Sequence, residues 1–144
     1  TSIKIDYVDT GKNKDENKIN ICSLMKSEDG YNIDAAYFIT NNGKYVSSVN
    51  SVETIYSDDS SYLEQLKIYT EDIYKNLNNT YGGYDYKLYI EDNKLIAEVE
   101  IDYNKMNLKK YVEDEPDLKE YIENGKFTLE GVEALYEESG AICE

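Results

Sequence analysis

The chain has no histidine and no arginine, only one proline, and no apolar run long enough to cross a bilayer. Without histidine, the usual general base near neutral pH and the commonest nitrogen ligand for zinc are both missing. Ser-His-Asp and Cys-His triads and His-based metal sites are therefore excluded by composition. Without arginine, the chain lacks the planar fork that grips phosphate and carboxylate in two places. The crowding of Lys, Asn, Ile, Tyr and Asp reads as the codon usage of an AT-rich genome rather than as selected avoidance. A membrane-spanning helix needs roughly 18–20 apolar residues in succession, and no segment is read as one. Phosphate-cradling and nucleophile-elbow motifs are also missing: there is no GxGxxG, P-loop or GxSxG element. Gly82-Gly83 follows a helical pattern and precedes a strand-like one, the reverse of the order a phosphate cradle needs, so it reads as a helix C-cap. Ser23-Leu24-Met25-Lys26 matches SxxK, but it lies on a strand-like run rather than at a helix start, and such short matches arise by chance in a lysine-rich chain.

What is abundant is negative charge. Thirty acidic residues against 15 lysines give a net charge of −15, a field that repels nucleic-acid backbones and anionic lipid headgroups alike. With 40% apolar and 12% aromatic residues, the chain still has the means to build a core, so a folded domain is expected rather than a disordered one. Its two cysteines, Cys22 and Cys143, stand near opposite ends of the chain. That placement favours a clamp over a redox or metal motif. A bridge would close a loop of more than a hundred residues, worth on the order of 4–5 kcal/mol in the chain-entropy model, and would persist only in an oxidising compartment. The alternative is two buried thiols acting as small hydrophobes. Because the chain starts at Thr1 rather than Met, an upstream signal or anchor is expected.

Along the chain, residues 1–17 begin with the alternation Ile3, Ile5, Tyr7 and pass into a polar stretch, reading as a tether or a marginal edge strand. Residues 18–144 read as a single α+β domain. Lys18 to Met25 alternates as a half-buried strand carrying Cys22. Tyr31 to Thr40 follows with Tyr31, Ile33, Ala35, Tyr37 and Ile39 on one face. Asn42-Gly43 then marks a hairpin, leading into a strand from about Lys44 to Tyr56 with Val46, Val52 and Tyr56 expected on one face. The period then changes. Ser61 and Glu64 read as a capping box, and Leu66, Tyr69, Thr70, Ile73, Leu77 and Tyr81 form the apolar stripe of a helix of about 20 residues. Tyr84, Tyr86, Leu88 and Ile90 are expected opposite Ile101, Val99, Ala97 and Leu95 in a second hairpin, with Lys87, Glu98, Glu100 and Asp102 on the other side. Short helices follow: one around Leu108 to Val112, one after Asp117 that stops at Gly125, and one capped by Thr128. The end of the chain is expected to carry Cys143 back to Cys22 as a brief strand. The fold class is therefore an antiparallel sheet of about five to six strands packed on one long central helix, covered on one side and wet on the other.

The acidic clusters Asp58-Asp59, Glu91-Asp92 and Glu113-Asp114-Glu115 invite a calcium reading, but none has the DxDxDG loop, and solvated faces or helix starts explain them. No cofactor, metal site or catalytic residue is assigned. Sixteen tyrosines are the remaining oddity. Most fall on core-facing positions; Tyr45 and Tyr89 lie on the opposite pleat and are the candidates for a contact surface.

The element order resembles the YehR-like bacterial lipoprotein family, a group of unknown function. The likeness is carried by Thr80-Tyr81-Gly82-Gly83 after the helix, the hairpin end from Val99 through Asp102-Tyr103-Asn104 to Leu108, and the tail from Leu129-Glu130-Gly131-Val132 to Gly140-Ala141. It runs from about Ile19 to the end of the chain. The resemblance implies an exported, membrane-anchored protein. The chain departs from the lipoprotein pattern in having no lipidated cysteine at its start, so any anchor would lie before Thr1. The expectation is an extracytoplasmic, non-enzymatic binding module of the cell envelope, monomeric, with an unknown protein or envelope ligand as partner. The alternative is a carboxylate-dependent enzyme acting on cell-wall glycans.

Overall fold

The computed structural model describes residues 18–144; the segment expected to be a tether or edge strand, 1–17, lies outside the described residues. Three antiparallel strands come first: β1 (Lys18–Glu28), β2 (Tyr31–Asn41) and β3 (Val46–Tyr56). After them come α1 (Ser60–Tyr81), the hairpin β4 (Tyr84–Glu91) and β5 (Lys94–Asp102), α2 (Leu108–Asp114) and a 3-10 helix (Pro116–Tyr121). A small hairpin, β6 (Ile122–Glu123) and β7 (Lys126–Phe127), precedes α3 (Leu129–Glu138) and the terminal strand β8 (Ile142–Cys143). Six strands form one sheet in the order β4-β5-β3-β2-β1-β8.

The β4–β5 register pairs Tyr84, Tyr86, Leu88 and Ile90 with Ile101, Val99, Ala97 and Leu95, as the alternation predicts. Directly opposed residues share a face, so the helices all lie on the side of Cys22, Tyr37, Val49 and Val99. The core beneath them has two halves. One, under α3 and the 3-10 helix, contains Cys22, Ile39, Val46, Val49, Phe127 and Val132; the other, under α1, contains Leu63, Leu88, Leu95, Ala97 and Val99.

β3 departs from the expected facing. Thr40 pairs with Ser48 but Asn41 pairs with Val46, leaving Ser47 as an extra residue. This bulge puts Val46 on the face of Val49, both buried, and turns Val52 and Tyr56 outward to 41% and 38% exposure. A bulge reverses the side-chain alternation beyond it, so a single period-two reading from Val46 to Tyr56 fails.

The helix start is also corrected. Asp59, not Ser61, is the N-cap of α1, its side chain accepting from the Tyr62 amide at 3.0 Å. The buried stripe runs through Leu63, Leu66, Tyr74 and Leu77, while Tyr69 (65% exposed) and Ile73 face outward. Of the expected stripe, Leu66, Thr70 and Leu77 do turn inward, while Tyr69 and Ile73 do not, each standing next to a more sheltered position, Thr70 and Tyr74. Gly82 ends the helix. The segment after Asp117 is a 3-10 helix without a side-chain cap, and Gly125 does not stop it but turns the β6–β7 hairpin together with Asn124. Thr128 caps α3 through the Gly131 amide at 2.9 Å.

Candidate functional site

The disulfide comes first, because it fixes where the ends of the fold lie. Cys22 and Cys143 stand directly opposite each other on β1 and β8 and are joined. Cys22 is fully buried. The bond lies under α3, where the Glu133 carbonyl approaches Cys143 Sγ.

No described element covers the sheet face away from the helices, and its rows pass from apolar to charged. One row reads Ile21, Phe38, Asn50, Glu100, Asp85; the next reads Ser23, Ala36, Val52, Glu98, Lys87; a third reads Met25, Asp34, Thr54, Ile96, Tyr89. On the β1 side, Ile19, Ile21, Met25 and Ile142 are 59, 45, 82 and 70% exposed. On the β4–β5 side the face is mostly carboxylate. Tyr89 lies here: its hydroxyl donates to Glu98 at 2.9 Å and Lys87 reaches over its ring.

Tyr45 is elsewhere. It precedes β3 at the opposite end of the sheet, bridges to Thr128, and accepts a hydrogen bond from Asn124 Nδ2 at 2.8 Å. Lys44 and Lys126 flank its ring. Tyr45 and Tyr89 therefore belong to two surfaces, not one. Tyr45 borders a half-open cavity of about 410 Å³ between the β2–β3 turn, the loop after β5 and β7.

Several other tyrosines pack into the two halves of the core. Tyr37 stacks on Tyr136 at 4.2 Å and Tyr74 on Tyr86 at 5.7 Å. The Tyr37 hydroxyl donates to Glu53 at 2.9 Å. Glu53 is a helix-side residue of β3, flanked by Ala35 and Ala97; sequence reading missed it because the bulge hides the facing of that strand. Burial pushes the Tyr74 phenol up to about 12. Burial, reinforced by Glu53, raises Tyr37 further, and burial likewise raises Tyr84, Tyr103 and Tyr136. These phenols pack the helices to the sheet. Among the described residues no group of three or more His, Cys, Asp or Glu side chains could hold a metal ion, and no helix is long and apolar enough to cross a membrane.

An antiparallel sheet with every described helix on one side makes the chain an α+β domain. Two solved structures share this architecture. The chain is similar to the E. coli YehR protein, determined by NMR, with a TM-score of 0.58 at 16% identity over 88% of this chain and 91% of that one. It is also similar to a protein from Streptococcus pneumoniae TIGR4, also determined by NMR, with a TM-score of 0.54 at 15% identity over 100% and 94% of the two chains. No protein-family model matches the chain, and no curated protein matches it in sequence. At these identities the likeness is one of fold.

Proposed function

We propose that this chain is the extracytoplasmic domain of a YehR-like bacterial envelope protein, anchored to the membrane by a segment upstream of Thr1, that binds a polypeptide partner and performs no catalysis. The observation that carries the reading is the bare sheet face. Ile19, Ile21, Met25 and Ile142 form a contiguous apolar edge on it, and exposed apolar surface gathered in one patch marks an interaction site more often than scattered residues do. The disulfide supports the location, since such bonds persist where thiols oxidise. The −15 charge supports a partner other than nucleic acid.

A photo-crosslinking residue at Met25 should yield a discrete adduct in intact envelopes that disappears on Ile21→Lys, while the same probe at Lys109, on the helix side, should yield none. Equal adducts from both positions, or none from Met25, would reject the reading. One observation favours the alternative, a carboxylate enzyme acting on cell-wall glycans: Asp85 and Glu100 face each other across β4 and β5, with side chains starting about 5 Å apart. They lie in an open depression on the bare face, without walls to exclude water. Glycan turnover abolished by Glu100→Gln would establish that alternative.

A further inference from the structure

The cavity beside Tyr45 is independent of the bare sheet face. Its floor is apolar: Val46, Met106 and Phe127 are buried there, and the Tyr103 ring lies 4.8 Å from that of Phe127. Its rim is polar, formed by Asn42, Asn104, Tyr45 and Lys126. Two backbone features hold it open. The extra residue at Ser47 separates the β2–β3 turn from the regular ladder. The positive φ of Asn124 and Gly125 turns β7 beneath that ladder, and nothing lies within 4 Å of where a Gly125 side chain would begin.

Several rim side chains are exposed and carry groups that make no hydrogen bond within the described residues, so they are free to exchange water for a guest. Asn42 uses its side-chain oxygen on the Lys44 and Tyr45 amides, which leaves its NH2 group without a partner among the described residues. The Asn104 side chain has no hydrogen bond among those residues, and Lys126 has no carboxylate within ion-pair distance there; its ammonium sits 5.5 Å from the Tyr45 ring centre. Tyr45, by contrast, is fixed in place by Asn124. Lys44 and Lys126 reach over that ring at 5.3 and 5.5 Å, so a guest with one apolar face and a polar edge would stack on it by displacing one of these long exposed chains.

Charge narrows the guest further. An anion would enter against a net charge of −15, with Lys126 as the one lysine lining the cavity among the described residues; the neighbouring Lys44 is already paired with Glu123 at 3.0 Å. A wholly apolar guest would strand the rim amides. We propose that this cavity binds a neutral sugar ring, its C–H face on Tyr45 and its hydroxyls on Asn42, Asn104 and Lys126. The volume is at the small end for ligand sites, suited to one ring rather than a long chain.

The test is an amide NMR titration of the intact, oxidised chain with glucose, N-acetylglucosamine and glucuronate at millimolar concentration. A neutral sugar should shift the amides of Ser47, Asn104, Gly125 and Phe127 and leave those of Ile21 and Val52 on the bare face unmoved. Tyr45→Ala should weaken binding by about tenfold or more, the size of a lost aromatic stacking contact, whereas Tyr45→Phe should bind within about threefold of the parent because the ring remains. Unchanged far-UV circular dichroism for both variants would keep the comparison fair. No response to any neutral sugar, a response to glucuronate alone, or equal binding by Tyr45→Ala would overturn the assignment. Since the shifted amides are remote from Met25, failure here leaves the crosslinking result standing, and the converse also holds.

Discussion

Tyr37, Tyr74, Tyr84 and Tyr136 hold their protons more tightly in the folded chain than an ordinary phenol does, chiefly because they are buried. A group raised in this way stabilises the fold fully below its unfolded value, near 10 for tyrosine, and loses that contribution as pH climbs through the folded value. Urea stability should therefore hold from neutral pH to about 9 and fall above 10, by up to about 1.4 kcal/mol per pH unit for each phenol that ionises only on unfolding. A flat profile through pH 11 would show these side chains to be solvated. The disulfide gives a second prediction at this scale. With its cysteines 121 positions apart, Cys22→Ser should lower unfolding free energy by about 4–5 kcal/mol; an unchanged urea midpoint would mean that the bond constrains little. Cys22 and Cys143 were legible because their meeting requires only a strand at each end. Glu53 was not, because its facing depends on one inserted residue, Ser47, that no local alternation marks.

For the elements, legibility followed pattern strength. The β4–β5 hairpin could be read residue for residue because both strands alternate without interruption around a two-residue turn, Asp92-Asn93. The β6–β7 hairpin was missed despite its Asn124-Gly125 turn, because strands of two residues carry no period. In α1 two neighbouring apolar sets, Leu66–Thr70–Tyr74 and Tyr69–Ile73, compete for the inward face, and only packing against β4 and β5 selects between them. Two glycines allow sharp tests. Gly131 lies within α3, where alanine ordinarily stabilises a helix by about 1 kcal/mol. Here a Cβ would come within 2.7 Å of Tyr121 Cβ and 2.9 Å of its Cα, so Gly131→Ala should destabilise by about 1–3 kcal/mol. A gain in melting temperature would show that the 3-10 helix yields freely. Gly83 has φ +88 and a Cβ there would stand 2.6 Å from the Asp102 carbonyl oxygen; Gly83→Ala should be at least as damaging, whereas Gly30→Ala, in open space, should suffer only the strain of its backbone.

Taken whole, the molecule is an acidic shell around a divided core. The ion pairs among the described residues, such as Lys67–Glu71 and Lys110–Asp114, sit at the surface and contribute little, while the excess of 15 negative charges repels itself throughout. Raising salt to about 0.5 M, where screening acts over a few ångströms, should therefore raise the melting temperature; a fall would mean that local pairs outweigh the net field. The antiparallel sheet and its helical covering on one side followed from sequence periods that persist over many residues, whereas the pairing of β5 with β3 did not. Nor did the cavity beside Tyr45, since it forms where three short irregular segments meet.

One consequence of the terminal strand reaches beyond the single chain. β1 is eleven residues long, and its outer rail would be an inviting template for a neighbouring molecule's backbone. β8 occupies the middle of that rail at Cys22 and Ser23, with the Glu144 amide on the Ile21 carbonyl, and the covalent strap keeps it there. Opening the strap lets the guard swing away, so reduced protein should polymerise edge to edge and scatter light while the oxidised form stays clear.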